Sequence, residues 1–187
     1  MKLHIYQRAT KKKSEINELR REGKIPAVFY LQGKEESQMI TVDKAEFEAI
    51  LRHIKPGHLA TTKLTLIDEG GQEKNVLIKD IHYKPTTYDV VHLDFKELVP
   101  GTKVKVKVPI ECTGVLGCAG IRLGGVLRQV IRSIPVECLS ENVPEQFELD
   151  VTELGLKESK KLQDLEIPKT IRPLMDLRQV VVVIAKR

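Results

Sequence analysis

The chain has 187 residues, of which 41% are hydrophobic and 30% charged, so it is long enough for one large or two ordinary folded domains. No apolar run approaches the roughly 18 residues of a membrane-spanning helix, and the first residues lack the apolar core of a secretory signal. We therefore expect a cytoplasmic protein with no membrane partner. The three cysteines form no CxxC pair, which argues against a disulfide framework and against a zinc knuckle.

The net charge of +5 is concentrated near the N-terminus. Residues 1–34 contain nine Lys or Arg and only three Glu, so this segment has an excess of six positive charges and the rest of the chain carries −1. A cationic excess packed into one segment is the electrostatic footprint of a phosphate-binding surface. For the run of three lysines within it, a solvated surface is the alternative.

The N-terminal half predicts short strands with one capped helix and a cation-rich segment that is either a helix or a loop. An alternating strand at 2–8 ends on Arg8, and the helix or loop after it runs from Ser14, a candidate N-cap, to Gly23, a candidate stop. Asp43, with a glutamate three residues later, predicts the capped start of a second helix. Further strands are predicted at 27–30, 39–42, 63–67 and 74–79, the last two joined by a hairpin across Gly70 and Gly71. The fold class is mainly β with short helices (α+β), and this half is predicted to form a small, partly closed β-barrel.

The last two predicted strands of this half carry polar groups on an apolar pattern. In the second of them, His92 and Asp94 share one face and the opposite face is apolar. In the first of these two strands, strict alternation places Asp80 and His82 on the same face as Val76. An imidazole and a carboxylate on one face of a strand suit a surface that reads a polar ligand. A local surface hydrogen bond is the alternative, and acid–base catalysis would require a substrate pocket as well.

The residues Val-Pro-Gly at 99–101 predict the boundary between a domain at 1–98 and a second, β-rich domain at 99–187. In the second domain, strands are predicted at 104–108, 110–113, 126–131, 134–139, 147–151 and 180–185. The three lysines that alternate with valines in the first of these strands are expected to face water from a half-buried sheet, although contact with phosphate is an alternative.

The remaining motifs argue against an enzyme. The glycine-rich segment GVLGCAGIRLGG at 114–125 contains neither GxGxxG nor GxxxxGK[ST], so it predicts a turn, bulge or crossover loop and no nucleotide site. The five histidines show no metal-ligand spacing, and no GxSxG motif places a nucleophile. We expect no metal, no cofactor and no small-molecule substrate.

Three segments together resemble one family: RREGKIPAVFY at 20–30, KDIHYKP at 79–85 and HLDF at 92–95. They are similar to the bacterial large-subunit ribosomal proteins of the CTC, or general stress protein, family, which bind 5S ribosomal RNA. Four short segments of the second half match the same family: GGVL at 124–127, VECL at 136–139, NVPE at 142–145 and DV at 150–151. The resemblance covers nearly the whole chain.

The resemblance implies a barrel similar to the anticodon-binding barrels of glutaminyl-tRNA synthetases, and a 5S RNA site on it. Arg8 would contact phosphate after the first strand, Lys13 would occupy the basic loop position, and Arg20 would follow the helix. Tyr30 would pack against or hydrogen-bond the sugar-phosphate backbone, and His92 with Asp94 would reach base edges and 2′-hydroxyls. The full set of implied RNA-binding residues is Arg8, Lys11, Lys12, Lys13, Arg20, Arg21, Tyr30, Lys79, His82, His92 and Asp94. Neighbouring large-subunit proteins and rRNA are the further partners that the resemblance implies.

The sequence departs from the family at three places. Asn17 and Glu18 stand where members typically carry two arginines, which puts two phosphate contacts in doubt unless the lysines at 11 and 12 compensate. Lys79 stands where some members carry glutamine, so it can donate a hydrogen bond but cannot accept one. The loop after Tyr30 is two residues longer than usual. A protein-binding, stress-regulatory adaptor is the alternative function, and the second domain's arginines at 122, 128 and 132 meet rRNA, a neighbouring protein or solvent.

Overall fold

The computed structural model describes residues 1–8, 12–31 and 37–186. It divides the chain into two compact units, Met1–Thr102 and Lys103–Arg187. Strands dominate both units, which confirms the predicted mainly-β class with few short helices. In the described part of the chain, no helix has the length and apolar character needed to cross a membrane.

The first unit is a closed six-stranded β-barrel. Its described elements, in chain order, are β1 (Lys2–Gln7), α1 (Lys13–Arg21), β2 (Lys24–Tyr30), β3 (Ser37–Asp43), α2 (Lys44–His53), β4 (Leu64–Ile67), β5 (Glu73–Tyr83) and β6 (Val90–Glu97). The strands are hydrogen-bonded in the order β1-β3-β2-β6-β5-β4, and β1 closes the barrel by pairing in parallel with β4. The prediction of only partial closure is wrong, because the two edge strands satisfy each other's backbone groups.

Alternate residues of every barrel strand fill its interior. The fully buried side chains include Leu3, Ile25, Phe29, Ile40, Leu64, Leu66, Leu93 and Phe95. Burying one such side chain contributes roughly 1.5–3 kcal/mol. From α2, Phe47 and Ile50 belong to the same core. The start of α2 is as predicted, since the Asp43 carboxylate accepts hydrogen bonds from the backbone N–H groups of Ala45 and Glu46.

Two local predictions in this half have different outcomes. Helix α1 begins one residue before Ser14 and Lys12 is its N-cap, so the prediction of Ser14 as N-cap is wrong. The Lys12 backbone is extended and its carbonyl already accepts a bond from the Ile16 N–H, which draws Ser14 into the first turn. Gly23 follows the helix with a φ of 78°, the left-handed conformation that glycine adopts freely, as predicted.

The second unit contains two sheets in its described residues. Its elements are β7 (Lys103–Thr113), α3 (Ala119–Arg122), β8 (Gly125–Gln129), β9 (Ser133–Leu139), β10 (Phe147–Asp150), β11 (Ser159–Lys161), β12 (Arg172–Pro173) and β13 (Val180–Lys186). One sheet has the order β10-β7-β9-β12 and the other β11-β13-β8. The two strands predicted on either side of Pro109 form the single strand β7. Strands β11 and β12 were not predicted, because two or three residues are too few to show alternation.

Candidate nucleic-acid interface

A β-bulge at Lys79 determines which side chains of β5 face outward. Ile78 pairs with Phe95 and Asp80 pairs with Asp94, so Lys79 is an extra residue with no partner on β6. Beyond the bulge, Asp80 turns to the outside of the barrel. The strict alternation predicted for this strand is therefore wrong, because it put Asp80 and His82 on the same face as the buried Val76.

The bulge brings two histidines and two aspartates together on the outer face of β5 and β6. His82 is the register partner of His92, and the two ring centroids lie 5.7 Å apart in an edge-to-face arrangement. Asp94 Oδ1 lies 3.1 Å from His92 Nδ1, and Asp80 Oδ2 lies 3.6 Å from His82 Nε2. Only 26% of the His92 side chain and 17% of the Asp94 side chain are exposed, so this pair is the more sheltered of the two.

The environment keeps His92 neutral at pH 7. Burial is the largest cause that lowers its pKa below the ordinary value, and His82, Arg8 and Arg20 lower it further, against the opposing effect of Asp94. Because a carboxylate attracts a proton and repels a nitrogen lone pair, we assign the single ring proton to Nδ1, the ring nitrogen that lies 3.1 Å from Asp94 Oδ1. The outer nitrogen, Nε2, is then a hydrogen-bond acceptor.

Two arginines lie beside this pair. Arg20, in the last turn of α1, donates from Nη2 to the Val91 carbonyl at 3.2 Å and from Nη1 to Asn17 Oδ1 at 3.3 Å. Burial, and then the charge of Arg20, lower the pKa of Arg8, although an arginine stays charged at neutral pH. Two guanidinium groups that repel each other across one surface are relieved by an anion that contacts both. The pair therefore suits a phosphate.

The position of Arg8 follows from the register of four strands. The Arg8 N–H donates to the Met39 carbonyl at 3.1 Å, Met39 pairs with Val28, and Val28 pairs with Asp94. Arg8 therefore lies at the same level of the barrel as the acidic end of the His92–Asp94 pair. This proximity depends on pairings between distant segments, which local sequence cannot reveal.

Other predicted residues surround this centre. Lys79 Nζ lies 4.6 Å from the centroid of the Tyr30 ring, close enough for a cation–π contact. Lys13 and Arg21 are exposed on α1, and Lys12 Nζ lies 3.8 Å from Glu15 Oε1 at the start of that helix. Lys11 lies outside the described residues. We call the outward surface formed by β2, β6 and β5, together with Arg8 and Arg20, the reading face.

Sequence reasoning missed the contacts of two residues in or beside the reading face. Asn17 accepts a hydrogen bond that positions Arg20, so the residue that replaces a family arginine has a contact of its own. Its i,i+3 spacing from Arg20 is the signal that predicts this contact. Lys96 continues the outward alternation of His92 and Asp94 and is the register partner of Tyr30.

Acidic side chains occupy the opposite side of α1. An open groove of about 610 Å³ is lined by Glu15, Glu18, Glu22 and Asp43, together with Arg8 and Lys24. The carboxylates disfavour phosphate in this groove, so a phosphate that contacts Arg8 would approach from the side of Arg20. Among the described residues, no cluster of His, Cys, Asp and Glu could hold a metal ion.

A salt bridge holds the segment that directly precedes β6. Lys44 Nζ lies 2.8 Å from Asp89 Oδ1, and this hydrogen bond is the main cause that lowers the pKa of Asp89. Because Asp89 directly precedes β6, the first turn of α2 is tied to the strand that carries His92. The reading face is thus connected to the barrel core through α2.

Both halves of the chain match known ribosomal protein families. Residues 3–95 match the Ribosomal L25p family, and residues 103–187 match the C-terminal domain of ribosomal protein TL5. Proteins named large ribosomal subunit protein bL25 are similar over all 187 residues, which is the full length of both chains. The identity is 46% for Chlamydia trachomatis serovar L2, 44% for Chlamydia muridarum and 42% for Chlamydia pneumoniae. On these full-length similarities, the chain belongs to the bL25 family of bacterial large-subunit ribosomal proteins.

Proposed function

We propose that this protein is a structural constituent of the large ribosomal subunit and that its barrel, residues 1–98, binds 5S ribosomal RNA through the reading face. The names of the relatives support the first part, and their family is a structural one without enzymatic activity. The 5S RNA partner is supported by the family resemblance and by the chemistry of the reading face. Residues 99–187 form a second domain in this proposal.

Two kinds of contact have different roles in the proposed RNA binding. Arg8, Arg20 and the lysines at the start of α1 neutralise phosphates, which sets the position of the RNA without reading its sequence. His92 offers an acceptor at Nε2, and Asp94 keeps a second oxygen free to accept. Two acceptors side by side match the donors of an RNA groove, namely base amino groups and 2′-hydroxyls. Because only 4% of the residues are aromatic, the chain suits recognition of a folded RNA better than stacking on single strands.

The single observation that carries the proposal is the His92–Asp94 pair. It is half-buried on the outward face of a barrel strand, the Asp94 carboxylate lies beside Nδ1 of the ring, and two arginines lie nearby. An RNA contact would use the pair and both arginines.

The test is a salt titration of the full chain against 5S rRNA and against an unrelated RNA hairpin of equal length. The expected result is tighter, salt-dependent binding to 5S rRNA, and a His92→Ala variant that loses most of this preference. His4→Ala is the matched control, since His4 also faces outward and pairs with a carboxylate, with Nδ1 2.8 Å from Glu46 Oε1, but on β1. Equal binding to both RNAs, indifferent to His92, would contradict the proposal and favour the protein-binding adaptor.

A further inference from the structure

The second unit displays large apolar side chains on one continuous segment, residues 114–132. Leu116 is 95% exposed, Leu123 is 69% exposed and Val130 is 65% exposed. Leu116 lies in a single 3-10 turn, Leu123 caps the end of α3, and Val130 follows β8. We call this segment the leucine loop. Isolated exposed leucines are common, but several exposed large apolar side chains within one segment make it a candidate for covering by another molecule.

Backbone contacts hold the leucine loop in place. The N–H groups of Ala119 and Gly120 donate to the carbonyls of Thr152 and Leu154 at 3.2 and 2.8 Å. The fully buried Cys118 also directs its thiol to the Leu154 carbonyl, at 3.3 Å. The exposed leucines therefore lie on an anchored loop.

Glycines make this anchoring possible. A Cβ atom on Gly120 would lie 2.8 Å from the backbone carbon of Gly155, and one on Gly125 would lie 2.6 Å from Ile184 Cγ2. Only glycine lets the loop approach β13 and the turn at 155 this closely. A loop that is ordered before binding loses little entropy when a partner docks.

The charge of the loop is of one sign. Residues 114–132 contain Arg122, Arg128 and Arg132 and no Asp or Glu. All three arginines are exposed, and Arg128 shares the outward face of β8 with Val126. The segment thus combines exposed apolar side chains with exposed arginines and carries no negative charge.

We propose that the leucine loop docks a neighbouring protein through an apolar pocket rimmed by Asp or Glu side chains. RNA would satisfy the arginines, but its phosphates offer nothing to Leu116 and Leu123, whereas an apolar pocket gains from covering them. Apolar anchors with arginine at the edge are typical of protein–protein interfaces. The inference rests on the proposed function, which places the chain in an assembly of proteins and RNA.

The experiment uses the full chain and large ribosomal subunits purified from cells that lack it. A photo-crosslinking amino acid at position 123 is expected to attach to a protein, at residues in an apolar pocket flanked by carboxylates. The double variant Leu116→Ser/Leu123→Ser is expected to bind the subunits about tenfold more weakly, as removal of an interface anchor does. Leu174→Ser is the matched control, since Leu174 is 43% exposed elsewhere in the same unit and its change should leave the affinity unaltered.

The charge is tested separately. Arg122→Glu is expected to weaken binding to the subunits, whereas Arg122→Lys keeps most of it. The inference would be overturned by crosslinks from position 123 to rRNA alone, or by an affinity for the subunits that the double leucine change leaves unaltered. Binding to isolated 5S rRNA, measured on the same variants, is expected to stay unchanged. A chain that fails on 5S rRNA but crosslinks to a protein would refute the 5S assignment alone.

Discussion

Replacing Asp94 by Asn tests the reading face, because the proposal and a simple charge argument predict opposite changes in RNA affinity. The substitution keeps the shape of the side chain and removes one negative charge from a surface proposed to meet RNA. If the carboxylate were only a like charge near phosphate, its removal would tighten RNA binding. At a separation of about 4 Å in water, one pair of unit charges contributes on the order of 1 kcal/mol, which corresponds to about fivefold in Kd.

The structure predicts the opposite sign. Asp94 faces the His92 ring, with Oδ1 3.1 Å from Nδ1, and in the proposed complex its second oxygen accepts from the ligand. A base-edge contact of this kind is worth about 1–3 kcal/mol, so Asp94→Asn should weaken 5S rRNA binding by about 5- to 150-fold. The pKa of His92 should also fall, because Asp94 is the group that raises it.

The assay is a titration of the full chain with 5S rRNA at fixed ionic strength, with NMR of the imidazole ring to follow the pKa of His92. The unrelated hairpin is the control, and its affinity should stay constant or rise slightly when the charge is removed. Binding of the Asp94→Asn variant to 5S rRNA that equals or exceeds the wild type would refute the assignment of Asp94 to base recognition.

Three further predictions follow from particular contacts. The lowered pKa of His92 means that the unfolded chain takes up a proton as pH falls below about 6.5 while the folded chain resists it, so stability should decline with falling pH. Urea unfolding at pH 7.5 and 5.5 should show a smaller decline for His92→Gln, and an equal decline would exclude His92 as a cause. Changing Lys11, Lys12 and Lys13 together to Ala should flatten the salt dependence of RNA binding by about 0.7–0.9 in log–log slope for each phosphate that is no longer neutralised, whereas the same change at Lys103, Lys105 and Lys107 should not. An unchanged slope for the first triple variant would rule out its role. Gly120→Ala should destabilise the second unit by about 1–3 kcal/mol through the clash with the backbone of Gly155, while Gly70→Ala, with open space around it, should be neutral by thermal unfolding.

The local signals in the sequence predicted individual elements well where their causes are local. The Asp43 cap and the glycine after α1 are contacts within one helix turn, and residue type alone indicates them. The inward alternation of Leu93 and Phe95 is likewise a property of one strand. Ser14 was misplaced because Lys12 and Ser14 compete for the same helix start, and the backbone of Lys12 decided between them.

Other features depend on which segments meet. Closure of the barrel pairs Leu3 with Leu66, more than 60 residues apart in the sequence, and no pattern within either strand predicts that partner. The bulge at Lys79 exists only relative to β6, because an extra residue is defined by the strand that it fails to pair with. The face predicted for Asp80 and His82 from strict alternation is therefore wrong.

By itself the sequence determined the secondary-structure class, the apolar core positions, the segregation of positive charge and the family. These properties depend on residue type, spacing and similarity, which the linear order of the residues contains. The tertiary structure alone decided that Arg20 reaches Val91, that Arg8 lies level with Asp94 and that His82 faces His92. The physical reason is that hydrogen bonding between strands and the closure of the barrel set the register, and the register determines which distant side chains share a surface.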